Sequence, residues 1–515
     1  MMHAARNIGP APRARSLGES AVLALLVGFL AVYACGVCLD FISAIRYPYE
    51  LDYGEGIIWQ QAKLIPGPHM YAAGQDLPFI VFHYPPLYHL LVRAAAYFMP
   101  DLLSAGRLVS AIATISITPL VAGLVLVAVP PPDGRRRLTQ LGIAVAVGLL
   151  ALCLHAVRTW GMYMRVDMVA IALGLAGVLV AARSDGGLRG TLCALLLCLA
   201  SVYCKQTQLP AGIAVFVVTL VRRPGVAIRA GAVVLAVGLS ALALLQWFTA
   251  GGFLQNILGD NINRLALHNA VIAVRPEFTS FPCMALMLAA AWIIPRNMVK
   301  SMLGSSFRRI EARHRLRSIL ADRAKAARAM VLLHFVLAGV LLVTVFKSGG
   351  YFNYLLDWLC VGLVLIGVLL CDLAYKGRWF SLVIALTAPG LLFQPIRYLP
   401  DQFPQSEIDA QDVLVRRIAE SDKPVASENM TLLMRAGKSV VYEPAIVTEL
   451  AAVGRWDEGP LVKMIESRGF AFMITADDWP ENMGRRTAAV NAAMRRAYPR
   501  MEQVSSALWL HLPPN

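Results

Sequence analysis

Residues 47–88 read YPYELDYGEGIIWQQAKLIPGPHMYAAGQDLPFIVFHYPPLY. This is the longest polar interruption in the first half of a very apolar chain. Glu50, Asp52 and Glu55 fall within six residues. They directly follow an apolar run, residues 20–41, that is long enough to cross a bilayer. Carboxylates beside a membrane are expensive to keep there, so their presence points to function.

Working outward, the chain has 515 residues, of which 58% are hydrophobic and only 15% charged. A soluble domain carries roughly 25% charged residues. Apolar runs recur along the sequence, which makes this a polytopic α-helical membrane protein. The net charge is +15, but the excess sits in short loops between apolar runs. That is the positive-inside pattern, and no nucleic-acid partner is needed to explain it. Most of the nine cysteines fall inside apolar runs. Cys35 and Cys38 have CxxC spacing but lie within the first run, where they read as packing residues. Arg6, Arg13 and Arg15 precede that run and set a cytoplasmic N-terminus. The run is too long for a signal-peptide core, so it reads as an uncleaved first span.

The organising loop is therefore extracytoplasmic. HYPPLYHLLVRAAAYFMP, residues 83–100, lies along the outer interface and does not cross. If it crossed, the cluster Arg135, Arg136 and Arg137 would end outside. Tyr84, Tyr88, His89 and Arg93 are then available for the headgroup level. Further spans are expected near 105–129, 138–157, 166–182, 190–204, 208–221, 228–249, 281–295, 329–346, 352–374 and 379–396, eleven in all with the first. Every loop on the inner side is then basic, and the segment 296–328 alone holds ten Lys or Arg residues. That segment reads as a basic helix at the cytoplasmic interface.

The outer loops instead place isolated charges at span ends, among them Arg158, Arg165, Asp167, Lys205, Arg264, Lys347 and Asp357. Isolated cations on that side ask for a partner, and a phosphate is one. The chain divides into a membrane domain, residues 1–396, with its first outer loop at 46–104, and a small soluble α/β domain, 397–515, on the outer face. In the latter SVVYEP and FAFMIT read as buried strands, while SEIDAQDVLVRRIAE and PLVKMIESRG read as amphipathic helices. No internal repeat is present, which counts against a secondary transporter.

Sugar transfer from a lipid-phosphate donor needs a base for the acceptor hydroxyl and positive charge for the departing phosphate. Asp52 lies in the middle of ELDYGEG, and Gly54 and Gly56 after it allow a tight backbone path. The acids can also serve structure, with Glu55 near the N-terminus of a helix IIWQQAKLI. Arg165 and Asp167 can form a local ion pair. Lys205, beside Gln206, and Lys347 have no acid close in sequence and can bind phosphate or reach the interface. His83 and Tyr84 precede Pro85-Pro86 and can touch phosphate or sugar. Asn353 and Tyr354 open a span, with Asp357 one turn on; they can bind a sugar or satisfy one another. A divalent metal on Glu50, Asp52 or Glu55 is chemically open, but no ligand cluster at the right spacing supports one, and no cofactor is called for.

Several motifs together resemble the GT-C glycosyltransferases of the family 39 and 83 type, which include the protein O-mannosyltransferases and the lipid A aminoarabinose transferase. They are the first-loop acids, Gly67 to Tyr71, YPPLY, a span opening with GRLVS, RVDM, KQT and GGYFNYLLD. The segment ASENMTLLMRAGKSVVYEP resembles a bacterial subgroup. The resemblance implies a multi-pass protein of the bacterial inner membrane with an outer-facing site. It implies a polyprenyl-phosphate-linked sugar donor, no nucleotide-sugar, and transfer with inversion to a lipid, glycan or protein acceptor. The family's first-loop acid falls on Asp52. The family usually has two adjacent acids, but here Tyr53 follows Asp52, so Glu50 and Glu55 stay beside Asp52 as candidates for the base. Tyr84 stands where the family has a Lys before Pro-Pro, so phosphate contact is expected from Arg165, Lys205, Arg264 and Lys347. The rival reading is a carrier or flippase for a lipid-linked saccharide, which predicts charges spread through the span centres.

Overall fold

The computed structural model describes residues 17–74, 76–134, 136–261, 271, 275, 281–300, 316–347, 350–378, 404–476, 485–505 and 508–515. The chain is mainly helical. The first apolar run forms α1 (Leu17–Arg46), and the organising loop carries α2 (Gly54–Leu64) and α3 (Leu87–Ala95). Then come α4 (Leu102–Ala128), α5 (Arg136–Cys153), α6 (His155–Gly161), α7 (Asp167–Arg183), α8 (Leu188–Cys204), α9 (Pro210–Arg222) and α10 (Pro224–Phe248). α11 (Phe281–Lys300), α12 (Arg323–Leu341) and α13 (Leu356–Tyr375) complete the described membrane part.

Each expected span up to residue 374 coincides with one of these helices. Among the described residues, six helical segments are long and apolar enough to cross a membrane: Ala21–Arg46, Leu102–Ala128, Arg136–Cys153, Pro224–Phe248, Arg323–Phe346 and Phe352–Tyr375. The expected span 138–157 ends early, because the helix breaks at Leu154 and turns into the short α6. The expected span 379–396 and Arg264 lie outside the described residues.

α13 is the central helix. Nearly all its residues are buried, and it packs on α4, α5, α11 and α12. α10 is its opposite: among its residues only Ala227 and Ala230 are buried, while Leu235, Leu239 and Trp247 are exposed. In water such a face would be costly, whereas against lipid tails it is neutral.

α3 has nine residues, a rise of about 14 Å, and cannot cross a hydrocarbon core of about 30 Å. Two of the residues expected at the headgroup level turn inward instead. Tyr88 and His89 are fully buried, and Leu90 and Leu91 are exposed. The Tyr88 hydroxyl donates to Gly106 O at 3.0 Å and His89 Nε2 meets Gln61 Oε1 at 3.1 Å. Burial pushes the His89 imidazole down to about 4. Arg93 Nη1 donates to Ala62 O at 3.3 Å. Polar groups near lipid find partners inside the protein because the outside offers none.

One end of the helix assembly is stitched by arginines. Arg328 pairs with Asp372 at 3.0 Å and donates to Ala128 O, Arg136 donates to Tyr375 O, and Arg323 donates to Ala182 O. These carbonyls close α4, α13 and α7, where cations complement the helix dipole. The acid-bearing loop lies at the other end.

The C-terminal part comprises α14 (Gln405–Ala419), α15 (Met430–Arg435), α16 (Pro444–Ala452), α17 (Gly459–Glu466) and α18 (Ala488–Ala497) around a four-stranded sheet. Its strands are β1 (Ala426–Ser427), β2 (Met473–Thr475), β3 (Arg500–Ser505) and β4 (Leu508–Leu512), in the order β1-β2-β4-β3. β1 and β2 are parallel, and the other pairs are antiparallel. FAFMIT supplies β2, and both expected helices are present. SVVYEP does not join the sheet. It bridges instead to the first loop, where Phe79 N donates to Val441 O at 2.8 Å.

Candidate active site

The first loop is pinned from below by a fully buried ion pair. Arg107, on α4, uses all five of its N–H groups. Nε and Nη2 donate to the two Glu55 carboxylate oxygens at 2.8 and 2.7 Å. The others reach the carbonyls of Ala44, Tyr47 and Tyr49 at 2.6–2.7 Å. Glu55 also accepts from the backbone N–H of Leu51 at 2.7 Å and of Met164 at 2.8 Å. Both side chains have no exposed surface. Glu55 is thus committed on both oxygens, and it fixes the end of α1, the start of α2 and the turn before α7 relative to one another.

Above this clamp lies a second, more open cluster. Asp52 Oδ2 accepts from Gly54 N at 2.9 Å and pairs with Arg165 Nη2 at 2.6 Å. The Arg165 guanidinium also lies over the Trp160 ring at 5.3 Å. It occupies the space a side chain at Gly54 would need, since a Cβ there would overlap it. Gly56 serves a different approach: a Cβ there would lie 2.9 Å from Met430 Cβ of α15. The two glycines therefore admit an arginine and the C-terminal domain.

Arg165 and Asp167 do not pair with each other. Asp167, at the start of α7, accepts from Lys205 Nζ at 2.5 Å, from Trp160 Nε1 at 2.9 Å and from Asn353 Nδ2 at 3.3 Å. Lys205 Nζ also stands 5.0 Å from the Tyr354 ring centre. Lys205, without an acid near it in sequence, thus gains one 38 residues away. Trp160 joins the two ion pairs, touching Asp167 with its N–H edge and Arg165 with its face.

Tyr84 faces the same charges. Burial and the Asp167 carboxylate push its phenol up to about 12, against the pull of Arg165 and Lys205. Gln206 Nε2 and Asn261 Nδ2 donate to the His83 carbonyl at 3.0 and 3.2 Å. The His83 ring meets Glu443 of the C-terminal domain at 3.0 Å. Glu50 has a buried Oε2 with no hydrogen-bond partner. Burial, then the nearby Glu55 and Asp52 charges, push its carboxyl well above the usual range and favour the neutral form. Lys347 closes a 3-10 turn, Leu342–Phe346, just ahead of Asn353. Asp357 turns the other way and meets His334 at 3.1 Å. Among the described residues, no three His, Cys, Asp or Glu side chains gather to hold a metal ion.

The C-terminal domain caps this arrangement. Tyr49 donates to Asp412, Arg435 pairs with Asp101 at 3.0 Å and donates to Pro48 O, and Ala445 N donates to the Tyr53 hydroxyl at 3.1 Å. Arg485 lies over the Tyr53 ring at 4.1 Å.

Solved structures with this arrangement of helices are known. ArnT from Cupriavidus metallidurans bound to undecaprenyl phosphate superposes with a TM-score of 0.54 at 12% identity, over 96% of this chain and 100% of that one. The fold is GT-C. The apo form of that ArnT gives a TM-score of 0.50 at 14% identity over the same shares of the two chains. An oligosaccharyltransferase from Archaeoglobus fulgidus gives 0.48 at 12% identity, over 89% of this chain and 69% of its own. No protein-family model and no curated protein sequence matches the chain.

Within this fold, the cluster brings together Asp52, Arg165, Asp167, Lys205, Asn353, Tyr354 and Tyr84 from separate segments. Sequence reasoning passed over two of its supports. Arg107 entered only as part of GRLVS, although an isolated cation at a span start one loop after an acid triplet is a usable signal. Trp160 gave none, since a tryptophan near a membrane interface is ordinary. Glu443 and Arg485 were equally invisible, because nothing in the sequence says which face of the C-terminal part meets the first loop.

Proposed function

We propose that this chain transfers a sugar from a polyprenyl-phosphate-linked donor to an acceptor hydroxyl at the outer face of the bacterial inner membrane, inverting the anomeric carbon. The single observation that supports this most is the convergence of Asp52, Arg165, Asp167 and Lys205 around Trp160. It puts one open carboxylate beside two cations at a membrane-proximal surface. Asp52 is the proposed general base and takes the acceptor proton. The acceptor oxygen then bonds to the anomeric carbon. The bond from that carbon to the phosphate oxygen breaks, leaving its electron pair on the phosphate. Arg165 and Lys205 offset the charge that grows there.

Asp167 holds Lys205 in place, and Glu55 positions the loop through Arg107. Glu50 lies beside Asp52 as a second carboxyl whose neutral form is favoured. His83, Tyr84, Gln206, Asn353 and Tyr354 line the substrate side. Arg264 and Lys347 are proposed as further phosphate contacts. The arginine-stitched end faces the cytoplasm by the positive-inside rule, which puts the capping C-terminal domain outside. The acceptor is a lipid, glycan or protein hydroxyl.

The test is release of free polyprenyl phosphate. Purified protein in lipid is given a panel of polyprenyl-phosphate sugars and an acceptor-containing membrane extract. Release by the natural sequence and its loss in Asp52→Asn are expected. Equal release by both would move the base to Glu50. No release from any donor would sink the transferase reading.

A further inference from the structure

The two ion pairs differ in how firmly they are held. Lys205 and Asp167 have side chains 6% and 2% exposed, and Asp167 has Trp160 and Asn353 as further partners. Arg165 and Asp52 have side chains 17% and 23% exposed. Arg165 Nε is buried with no partner, and both bonds recorded for Asp52 fall on Oδ2. Arg165 therefore has unused hydrogen-bonding capacity while its charge is spent on the proposed base. A carboxylate oxygen held by a guanidinium is occupied and not open to an acceptor hydroxyl. A lipid phosphate offers the same guanidinium a stronger, bidentate anion.

We propose that the donor phosphate competes with Asp52 for Arg165, so that donor arrival loosens the Asp52–Arg165 pair and frees Asp52 to act as base. The firmer Lys205–Asp167 pair does not exchange; it gives the phosphate a fixed second contact. Asp52 is then released from its cation only when a donor is in place. This inference rests on the proposed lipid-phosphate role of the cluster.

It makes a prediction that runs against simple removal of a catalytic residue: losing the acid strengthens lipid binding. The affinity of the full-length purified protein for undecaprenyl phosphate would be measured by native mass spectrometry. Neutral undecaprenol is the control, and the variants are Asp52→Asn, Arg165→Gln and the double substitution. Asp52→Asn should bind roughly fivefold tighter than the natural sequence, the exchange of one part-exposed ion pair. Arg165→Gln should bind more weakly. In the Arg165→Gln background the gain from Asp52→Asn should shrink below about twofold, since the coupling runs through Arg165. Unchanged or weaker binding by Asp52→Asn overturns the exchange. So does an equal gain in the Arg165→Gln background, which would mean plain loss of a negative charge. If no folded form prefers undecaprenyl phosphate to undecaprenol, the lipid-phosphate reading falls as well, and the two failures are told apart.

Discussion

Two arginine–carboxylate pairs hold the acid-bearing loop, Glu55 with Arg107 and Asp52 with Arg165, and they do different work. Arg107–Glu55 is sealed: every guanidinium N–H and both carboxylate oxygens are engaged, and neither side chain reaches solvent. Arg165–Asp52 is part-exposed and leaves Arg165 Nε without a partner. The same two functional groups thus make a sealed joint in one place and a more open one, which holds the proposed base, in the other. What separates them is satisfaction. A fully bonded buried pair resists any change, because removing one member strands the other, whereas a pair with spare donors can rearrange around a substrate.

The comparison breaks most visibly at Arg107. Arg107→Met should strand the Glu55 charge and three carbonyls, at about 3–5 kcal/mol. Little folded protein should survive detergent extraction, as read by size-exclusion profile and melting temperature. A well-folded Arg107→Met would show that the clamp is dispensable. Asp52→Asn should do the reverse. Its stability cost should stay within about 1 kcal/mol, as for a part-exposed pair. Sugar transfer should fall by about 100-fold or more, the range for a lost general base. A variant that is both unstable and active would invert the two assignments.

Gly54→Ala sharpens the contrast further. The new methyl would displace only the tip of the Arg165 side chain, which can swing away. Melting temperature should barely move. Transfer should drop by roughly tenfold, as the loss of one charge-assisted contact predicts. A large loss of stability would mean that Arg165 is locked as firmly as Arg107.

The smallest effect is expected at Glu50, through pH. Its carboxyl is raised in the folded state, so the folded chain holds this proton more tightly than the unfolded one. As pH climbs above the unfolded value of about 4.3, the unfolded chain ionises first and stability is lost until the folded value is passed. Glu50→Gln has no such loss. Its melting temperature should exceed that of the natural sequence by a margin that grows with pH and closes below about pH 4. A margin independent of pH would show that Glu50 is not held in its neutral form.

The same contrast separates what is legible in the sequence from what is not. Spans follow from sums of hydropathy over short windows, a local property, and α1, α4 and α13 emerge where the apolar runs are. The C-terminal α/β part follows from a drop in those sums, and the acid triplet in ELDYGEG stands out against an apolar background. α3 shows the limit of such reading. Its composition is amphipathic, but whether the polar face turns to headgroups or inward depends on what α2 and α4 offer it. SVVYEP shows another, since a β-prone hexapeptide bridged the first loop and left the sheet to other segments.

Pairing lies beyond local reading altogether. Arg165 has Asp167 two residues away yet joins Asp52. Asp167 joins Lys205, 38 residues on, and Arg107 finds Glu55 across 52. His83 meets Glu443 at a separation of 360. Side chains at i and i+2 at the start of a helix point to different faces, so the nearest opposite charge in sequence is the wrong partner in space. Sequence patterning sorted residues between lipid, water and the membrane surface, because that partition is a sum over individual side chains. Which carboxylate is locked and which is open was settled only by the convergence of α1, α2, α4, α6, α7 and α8, because an ion pair depends on where two separate backbones bring their charges.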